Sequence, residues 1–411
     1  MTRTPKIILS LGSLSKKWLH KDFVFRKKAT RELVRSSGFS KKMAQEHIDA
    51  LFSELTAPKL FKLLKNELRD PSALSGFARE NDNRRSVRAQ GPETILHIFS
   101  ATTPAAAVMS FVLGLLIGSR NIGKLSSRDE GFLGTYLRSL KAHDQPLGRR
   151  CRLIPSNDRS KVRDLSKRAG LVVAYGNDET LESIRKEVPV STPFVGYGHR
   201  VSFSLYCKEA LSQENAGRLA KKTALDVWML DQRGCLSPVI VFAQKKGEVS
   251  AERFAGMVAR EMGRLEAAEV SKPKRSLRDW LAAAKLRDRS RLAALGNQKS
   301  KIWESRIKGL WMVAYDEKQD MFFLGGSQTL RVKGFNRFKD LEGNLKQLRA
   351  VLQAAALECV PAERRKIAEW LSSFGVNRIC RAGMLQYPPV TWHHDGRPNL
   401  ADWLRWTDLE D

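Results

Sequence analysis

The first 70 residues combine apolar positions at helical spacing with many basic side chains. Leucine, isoleucine, methionine and phenylalanine recur every three or four positions between residues 16 and 70. This period predicts amphipathic helices, because it places the apolar side chains on one face. The polar run at 79–90 has no such period and predicts a loop. Residues 1–90 are therefore predicted to form an N-terminal helical region.

Beyond residue 90, short apolar runs alternate with amphipathic stretches. Strand–helix alternation with short links is typical of a parallel sheet covered by helices on both faces. Such a sheet binds nucleotides at the carboxyl ends of its strands. No GxGxxG follows the first strand, so the alternation of strands and helices alone does not identify a dinucleotide-binding site. Strands are predicted at 95–99, 121–125, 152–155 and 171–175, and helices at 105–117, 129–141, 160–168 and 179–188.

A second stretch of mixed strands and helices begins near residue 206. The predicted fold class is therefore α/β, with a parallel-sheet nucleotide-binding domain at 91–205, a second α/β domain at 206–385 and a C-terminal tail at 386–411. In the second domain, helices are predicted at 213–228, at 251–265, within 340–357 and at 362–374, and strands at 238–243, 311–315, 321–324 and 376–380.

The composition is that of a globular protein from a reducing compartment. Hydrophobic residues make up 42% of the 411 positions. Five cysteines without a CxxC pair argue against a disulfide framework and a structural zinc site, and they favour a cytoplasmic location. The basic N-terminus lacks the apolar core of a secretory signal. The longest apolar run, 105–117, is too short to span a bilayer, so no membrane span is predicted.

The net charge of +28 is high for a chain of this length, with 72 Lys and Arg against 44 Asp and Glu. Residues 1–71 hold 16 basic and 7 acidic residues, and residues 272–308 hold 12 and 3. Such a field attracts polyanions, among them nucleic acid, an acidic carrier protein and phosphorylated cofactors. A solvated basic surface that keeps the protein soluble explains the same charge equally well.

Cys235 lies between a predicted helix and a predicted strand. Gly234 before it allows the close approach of a substrate, and Ser237-Pro238 after it stiffens the chain. Arg233 favours the thiolate, which is the reactive form of a cysteine. A lone cysteine is also common as a small buried apolar residue, and these residues alone leave both interpretations open.

Six segments occur together and in one order along the chain. They are ELRDP at 67–71, GKLSSRD at 123–129, AYGNDE at 174–179, GYGHR at 196–200, DQRGCLSP at 231–238 and WHHDG at 392–396. In this order they resemble the fatty-acid reductase component of bacterial bioluminescence. That family comprises long-chain acyl-CoA and acyl-protein thioester reductases within the aldehyde dehydrogenase superfamily.

The resemblance implies an aldehyde dehydrogenase-like fold and an oxidoreductase that converts an acyl thioester to an aldehyde. Cys235 is then the nucleophile that carries the acyl group, and a nicotinamide cofactor supplies hydride. Oxidising members of the superfamily place a glutamate where this chain has residues 195–200, which contain no carboxylate. His199 is then the candidate proton donor or thiolate-stabilising group, or else a histidine hydrogen-bonded in a glycine turn.

The resemblance also implies a cofactor site. Lys124 matches the lysine that the superfamily supplies to the adenosine ribose, and Ser127 and Arg128 follow where NAD-selective members have a glutamate. A hydroxyl and a guanidinium suit a 2′-phosphate, so the predicted cofactor is NADPH. Gly176 and Asn177 open a helix at a strand end, which suits a pyrophosphate. Asp178 beside them is a candidate N-cap.

One departure from the family leaves a second function open. Where the superfamily has the asparagine that completes the oxyanion hole, this chain has Thr102, which reaches less far. The alternative is therefore a weak or inactive member, acting as an acyl-accepting or polyanion-binding scaffold. His393 and His394 are adjacent and suit a metal poorly, so no metal site is predicted.

The predicted partners follow from the same resemblance. The acyl donor is acyl-CoA or an acylated carrier or synthetase protein, and the chain is expected to form a homo-oligomer. Nucleic-acid binding through the basic stretch at 272–308 is the weaker hypothesis, and it would use Lys272, Lys274, Arg275 and Arg278.

Overall fold

The chain forms two compact units in the computed structural model. The first comprises Met1–Ser37, Lys41–His199 and Pro389–Asp411, and the second comprises Gly38–Ser40 and Arg200–Pro388. The structure describes residues 3–37, 39–79, 85–100, 104–125, 131–154, 159–268, 300–306, 310–317 and 328–410, with isolated positions between 277 and 295.

Four helices open the first unit, as the apolar period predicts. They pack around Trp18, which is fully buried and stacks on Phe52 with ring centroids 4.4 Å apart. The buried Arg26 guanidinium donates to Asp49 and to the Trp18 carbonyl, so its charge is satisfied inside this bundle. The helices are α1 (Arg3–Leu19), α2 (Val24–Ser37), α3 (Lys41–Glu54) and α4 (Ala57–Leu68).

A five-stranded parallel sheet forms the rest of the first unit's core. Its strand order places β3 at the centre, with β4 and β5 on one side and β6 and β7 on the other. The strands are β3 (Thr94–Ile98), β4 (Arg120–Lys124), β5 (Cys151–Ile154), β6 (Leu171–Tyr175) and β7 (Phe194–Tyr197), and the helices are α5 (Pro104–Leu116), α6 (Phe132–His143), α7 (Gln145–Gly148), α8 (Arg159–Arg168) and α9 (Asp178–Glu187).

The chain changes direction within this sheet. It runs from β3 outward to β4 and β5, and then returns to the other side of β3 as β6. The carboxyl ends of β3 and β6 therefore flank a topological switch point, which is where open α/β sheets bind ligands.

The predicted loop at 79–90 is wrong for its described part. β1 (Ala78–Arg79) and β2 (Arg85–Gln90) are strands, and they form a three-stranded antiparallel sheet with β15 (Arg405–Glu410). The predicted C-terminal tail thus supplies a strand. Strand β15 is exposed along its whole length, and β2 buries only Ala89, in a small apolar cluster with Ala73 and Ala78. A hydrophobic period therefore gives little sign of these two strands.

The second unit is built on a seven-stranded sheet in the order β10-β11-β12-β9-β8-β13-β14. All neighbouring strands are parallel except β10 and β11. The strands are β8 (Val201–Tyr206), β9 (Pro238–Gln244), β10 (Ser300–Glu304), β11 (Met312–Asp316), β12 (Thr329–Phe335), β13 (Leu352–Glu358) and β14 (Arg378–Cys380), and the helices are α10 (Gln213–Trp228), α11 (Ala251–Ala268), α12 (Lys339–Gln347) and α13 (Pro361–Ser373).

The helix predicted within 340–357 is wrong beyond its first part. Helix α12 ends at Gln347, and the alanine-rich run that follows is the strand β13. Alanine favours helix in isolation, but here the run is buried and pairs with β8 along one edge and with β14 along the other. The strand predicted at 321–324 lies outside the described residues.

Each unit has its own apolar core against its sheet. In the first, Leu96, Val172 and Ala174 belong to one buried cluster, and in the second Phe203 and Phe242 belong to another. Full burial of such a side chain contributes about 1.5–3 kcal/mol. Among the helices of the described ranges, none is long and apolar enough to cross a membrane.

Candidate active site

Cys235 lies in the loop between α10 and β9 of the second unit, and it is half-buried. The Ser202 hydroxyl, near the start of β8, donates to the Cys235 carbonyl at 2.8 Å. Because β8 and β9 are parallel, this loop lies at the amino edge of the seven-stranded sheet.

The turn before Cys235 has an unusual backbone. Leu230, Asp231 and Gln232 have φ values of 56°, 52° and 55°, the left-handed region that non-glycine residues seldom adopt. Each such residue costs on the order of 1–3 kcal/mol, and strain of this kind clusters at functional sites. This conformation could not be predicted from the sequence, since none of the three residues is glycine or asparagine.

The Gln232 side chain holds this turn in place. Its Nε2 donates to the carbonyls of Pro238 and Thr329 at 2.7 and 2.9 Å, and the Thr329 N–H donates to its Oε1 at 2.7 Å. These bonds tie the cysteine loop to the first residues of β9 and β12. Cys235 therefore sits on a restrained segment.

Arg233, which the sequence connects with the thiolate, forms an ion pair within its own loop. Its Nη2 lies 2.9 Å from the Asp231 carboxylate, and the Asp231 side chain is only 2% exposed. A buried carboxylate at this distance offsets much of the positive charge that Arg233 carries.

A second loop packs against the other side of the cysteine loop. Gln386 Nε2 donates to the Ser237 hydroxyl at 2.9 Å and to the Asp226 carbonyl at 3.1 Å. A Cβ placed on Gly234 would lie 3.4 Å from Gln386 Oε1 and 3.2 Å from Leu230. A side chain at position 234 would therefore be tightly packed against these two neighbours.

Arg378 is a charged residue of this region that the sequence did not single out. It is the first residue of β14 and is 9% exposed. Burial lowers the pKa of its guanidinium, while the negative charges of Cys380, Asp226 and Cys235 raise it. An arginine so far along the chain from Cys235 carries no local signal of this proximity.

Asp226, on α10, is a buried carboxyl group. It accepts hydrogen bonds from the backbone N–H groups of Gly383 and Leu385 at 2.7 and 3.2 Å. Burial nevertheless raises its pKa to about 7. Near neutral pH this group is divided between its protonated and ionised forms.

The other four cysteines have raised pKa values. Burial raises the pKa of Cys151 and Cys207 to about 12 and that of Cys380 to about 11, and it also raises that of Cys359. These thiols are protonated near neutral pH and therefore unreactive.

The first unit brings three predicted cofactor residues to one sheet edge. Lys124 ends β4, and Gly176 and Asn177 follow β6, so all three lie at carboxyl ends on either side of β3. Asn177 is the N-cap of α9, because its Oδ1 accepts from the Thr180 N–H at 3.0 Å. Asp178 is the next residue and starts the helix.

His199 is exposed and belongs to the first unit. Its backbone N–H donates to Asp178 Oδ1 at 3.5 Å, so the glycine-rich segment after β7 approaches the start of α9. Thr102, Ser127 and Arg128 lie outside the described residues, as do Lys272, Lys274, Arg275 and Arg278.

A row of stacked rings runs along the same carboxyl edge, and the sequence did not predict it. Phe99 stacks on Tyr175 and Tyr175 on Tyr197, with ring centroids 5.7 and 4.8 Å apart. His394 continues the row at 4.3 Å from Tyr197, and Trp392 lies 4.9 Å beyond it. The WHHDG segment therefore packs on the ends of β6 and β7. Among the described residues, no cluster of histidine, cysteine and carboxylate side chains could hold a metal ion.

The chain matches the model of the acyl-CoA reductase (LuxC) family over residues 2–406. It is 23% identical over 237 residues to a long-chain acyl-protein thioester reductase of Photorhabdus luminescens, which covers 56% of this chain and 48% of that protein. It is 22% identical over 400 residues to long-chain acyl-protein thioester reductase 2 of Photobacterium leiognathi, covering 95% and 79%. The first alignments thus span about half the length of those curated relatives.

Solved structures with the same fold are aldehyde dehydrogenases. The glyceraldehyde-3-phosphate dehydrogenase GapN of Methanocaldococcus jannaschii, complexed with NADP, matches with a TM-score of 0.71 at 11% identity, over 99% of this chain and 89% of that one. Succinic semialdehyde dehydrogenase of Streptococcus pyogenes, in complex with NADP+, matches with a TM-score of 0.72 at 10% identity, over 100% and 91%. These likenesses confirm the predicted fold class.

Proposed function

Because the chain belongs to the acyl-CoA reductase (LuxC) family, we propose that it reduces an acyl thioester to an aldehyde through an acyl group carried on Cys235. The observation that carries the proposal is the position of Cys235. It is half-exposed on a strained turn that Gln232, Ser202 and Gln386 hold from three sides. A restrained, accessible sulfur suits a nucleophile that must meet a carbonyl carbon in one orientation.

In the proposed reaction the Cys235 thiolate attacks the thioester carbonyl. The bond to the donor sulfur breaks, and the donor leaves as a thiol after it takes up a proton. The acyl group is then bound to Cys235 as a new thioester. A nicotinamide bound in reduced form would supply the hydride that reduces this thioester to an aldehyde, and Cys235 would leave as the thiolate. The backbone N–H of Cys235 and the Thr102 hydroxyl are the proposed donors to the oxyanion.

His199, in the segment that follows β7, is the proposed proton donor. The segment 195–200 contains no carboxylate. A general base there would activate water and hydrolyse the acyl group to an acid. Its absence from this segment favours reduction over hydrolysis.

The proposed cofactor site is the carboxyl edge of the five-stranded sheet, at the switch point between β3 and β6. Lys124 and Gly176 lie on this edge, and a Cβ on Gly176 would lie 3.1 Å from the Thr180 side chain, which is a tight contact. Asp178 and Glu179 occupy the first turn of α9. Their negative charges disfavour binding of the 2′-phosphate at that terminus in addition to the pyrophosphate. Lys124, Ser127 and Arg128 are therefore the proposed group that selects NADPH by its 2′-phosphate.

The proposed acyl donor is acyl-CoA or an acylated carrier or synthetase protein. The thioester reductase names of the curated relatives support an acylated protein as one donor. The net charge of +28 would attract either an acidic protein or the phosphates of CoA. A cytoplasmic location and a homo-oligomeric state complete the proposal.

The test combines intact mass and cofactor absorbance. Incubation with long-chain acyl-CoA should add one acyl group to the wild-type protein, and NADPH should then be oxidised faster than NADH. Cys235→Ala should abolish both signals, whereas Cys380→Ala, which removes another half-buried thiol, should retain them. Acylation of Cys235 without oxidation of either cofactor would instead favour an acyl-accepting scaffold. Absence of acylation with every donor tested would contradict the proposal.

A further inference from the structure

The guanidinium of Arg378 is fixed by the loop that follows it. Its Nη1 donates to the Leu385 carbonyl at 2.8 Å, and its Nη2 donates to the carbonyls of Met384 and Tyr387 at 2.7 and 3.2 Å. Three hydrogen bonds to consecutive parts of one loop leave the side chain little freedom. The positive charge therefore has a defined position.

The loop that binds Arg378 lies against the residues that flank Cys235. In the chain, Gln386 lies between Leu385 and Tyr387, whose carbonyls accept hydrogen bonds from the guanidinium. Its own side chain donates to the Ser237 hydroxyl, and its Oε1 lies 3.4 Å from where a Gly234 side chain would begin. Gly234 and Ser237 flank Cys235 in the chain. The loop that clamps Arg378 is thus packed on the residues around the sulfur.

The two arginines near Cys235 differ in how their charge is balanced. Arg233 lies 2.9 Å from the buried Asp231 carboxylate. Arg378 donates three hydrogen bonds to carbonyl oxygens, and the negative charges of Cys380, Asp226 and Cys235, in that order, raise its pKa. Burial raises the pKa of Asp226 to about 7, so this carboxyl is partly ionised at neutral pH. Arg378 and Cys235 are therefore within electrostatic reach of each other.

We propose that Arg378 is a positioning residue for the nucleophile, whose guanidinium stabilises the thiolate of Cys235. The inference rests on the proposed function, in which that thiolate attacks the thioester. A positive charge beside a half-buried sulfur favours its ionised form, and partial burial strengthens the effect. The titratable and charged groups around this pair are Asp226 from α10, Asp231 and Arg233 from the cysteine loop, and Cys380 from β14.

The test is the pH dependence of Cys235 alkylation by iodoacetamide, followed by mass spectrometry of the peptide that contains Cys235. In the wild type the midpoint should lie below the value of about 8.5 for a free thiol. Arg378→Met should raise the midpoint by about one pH unit and slow alkylation at pH 7 by about tenfold. Arg378→Lys, which keeps the charge, should restore most of the wild-type midpoint.

Arg233→Met is the matched control and should move the midpoint less than Arg378→Met does. Arg378→Gln retains amide donors for the carbonyls, and it replaces Arg378→Met if that variant unfolds. An unchanged midpoint in a folded, uncharged variant, a larger shift in Arg233→Met, or a wild-type midpoint at or above about 8.5 would each overturn the inference. The assay contains no acyl donor or nicotinamide. A failure of thioester reduction would therefore not change the alkylation midpoint. An unchanged midpoint in the Arg378 variants would likewise not contradict thioester reduction.

Discussion

Asp226 shows at the scale of one residue how position changes chemistry. The same carboxyl that would be ionised at a surface is buried on α10, and its pKa rises to about 7 despite two backbone hydrogen bonds. It helps to hold the loop that clamps Arg378. The protonation of Asp226 therefore affects the free energy of unfolding and also the loop that packs on the residues around Cys235.

The sign of its contribution to stability follows from that raised pKa. Between the unfolded pKa of about 4 and the folded value of about 7, the folded state binds the proton more tightly. The free energy of unfolding should therefore contain a component that falls as pH rises through this window and levels off above it. Three pH units correspond to at most about 4 kcal/mol.

Asp226→Asn should remove this component. Relative to the wild type, the variant should become progressively more stable as pH rises from about 4 to about 7. At low pH it should be the less stable protein, because one backbone N–H loses its acceptor. Urea denaturation across this range measures the difference. Glu214→Gln, an exposed change on the same helix, is the control, and a constant difference between Asp226→Asn and the wild type would contradict the argument.

At the scale of elements, the sites lie where strands and helices begin or end. The cysteine loop joins α10 to β9 at the amino edge of one sheet, and Lys124 and Gly176 lie at the carboxyl edge of the other. Helix α9 starts with an asparagine cap followed by two carboxylates, which already complement its dipole. The start of α9 thus has both a structural role and a proposed ligand role, and substitutions can separate them.

Asn177→Ala should lower stability by about 1 kcal/mol, because the Thr180 N–H loses its acceptor. Asn177→Asp should keep the cap and most of the stability. If Asn177 faces the pyrophosphate, the added charge of Asn177→Asp should weaken NADPH binding by about tenfold, which is about 1.4 kcal/mol. Asp178→Asn is the matched control and should change affinity in the opposite direction. Fluorescence titration with NADPH measures these effects, and equal affinity of Asn177→Asp and wild type would limit Asn177 to the capping role.

At the scale of the whole chain, the two termini belong to the same unit. Strand β15 pairs with β2 along its length, and Glu67 accepts hydrogen bonds from the backbone of Asn399, Leu400 and Ala401 at 2.6–3.1 Å. Glu54 accepts similarly from Val390 at 2.8 Å. Residues 390–410 thus belong to the same fold as residues 54–90, and deletion of either segment removes hydrogen-bond partners from the other.

The net charge of +28 predicts a salt effect on the whole protein. Repulsion among the excess basic side chains destabilises the compact state, and salt screens it. The melting temperature should therefore rise between 20 and 300 mM NaCl, by roughly 2 °C for each kcal/mol regained. Differential scanning fluorimetry measures this shift. A melting temperature that falls over this range would mean that attractive ion pairs outweigh the repulsion.

Local patterns in the sequence predicted what depends on neighbours along the chain. The helical period predicted the N-terminal bundle, and the apolar runs predicted most of the central strands, because each buries a continuous apolar face. Strands β2 and β15 were not predicted, since β15 is exposed throughout and β2 buries a single alanine. The run after Gln347 was misread because alanine suits a helix, whereas its pairing with β8 and β14 comes from segments distant along the chain.

The sequence by itself determined the family, the fold class and the cysteine to examine, because motifs such as DQRGCLSP are contiguous. Only the tertiary structure showed which distant charges lie in the neighbourhood of that cysteine. Arg233 is adjacent in sequence and is paired with Asp231, whereas the loop that binds Arg378 is packed on Gly234 and Ser237. Electrostatic effects depend on distance and burial in space, and spacing along the chain measures neither.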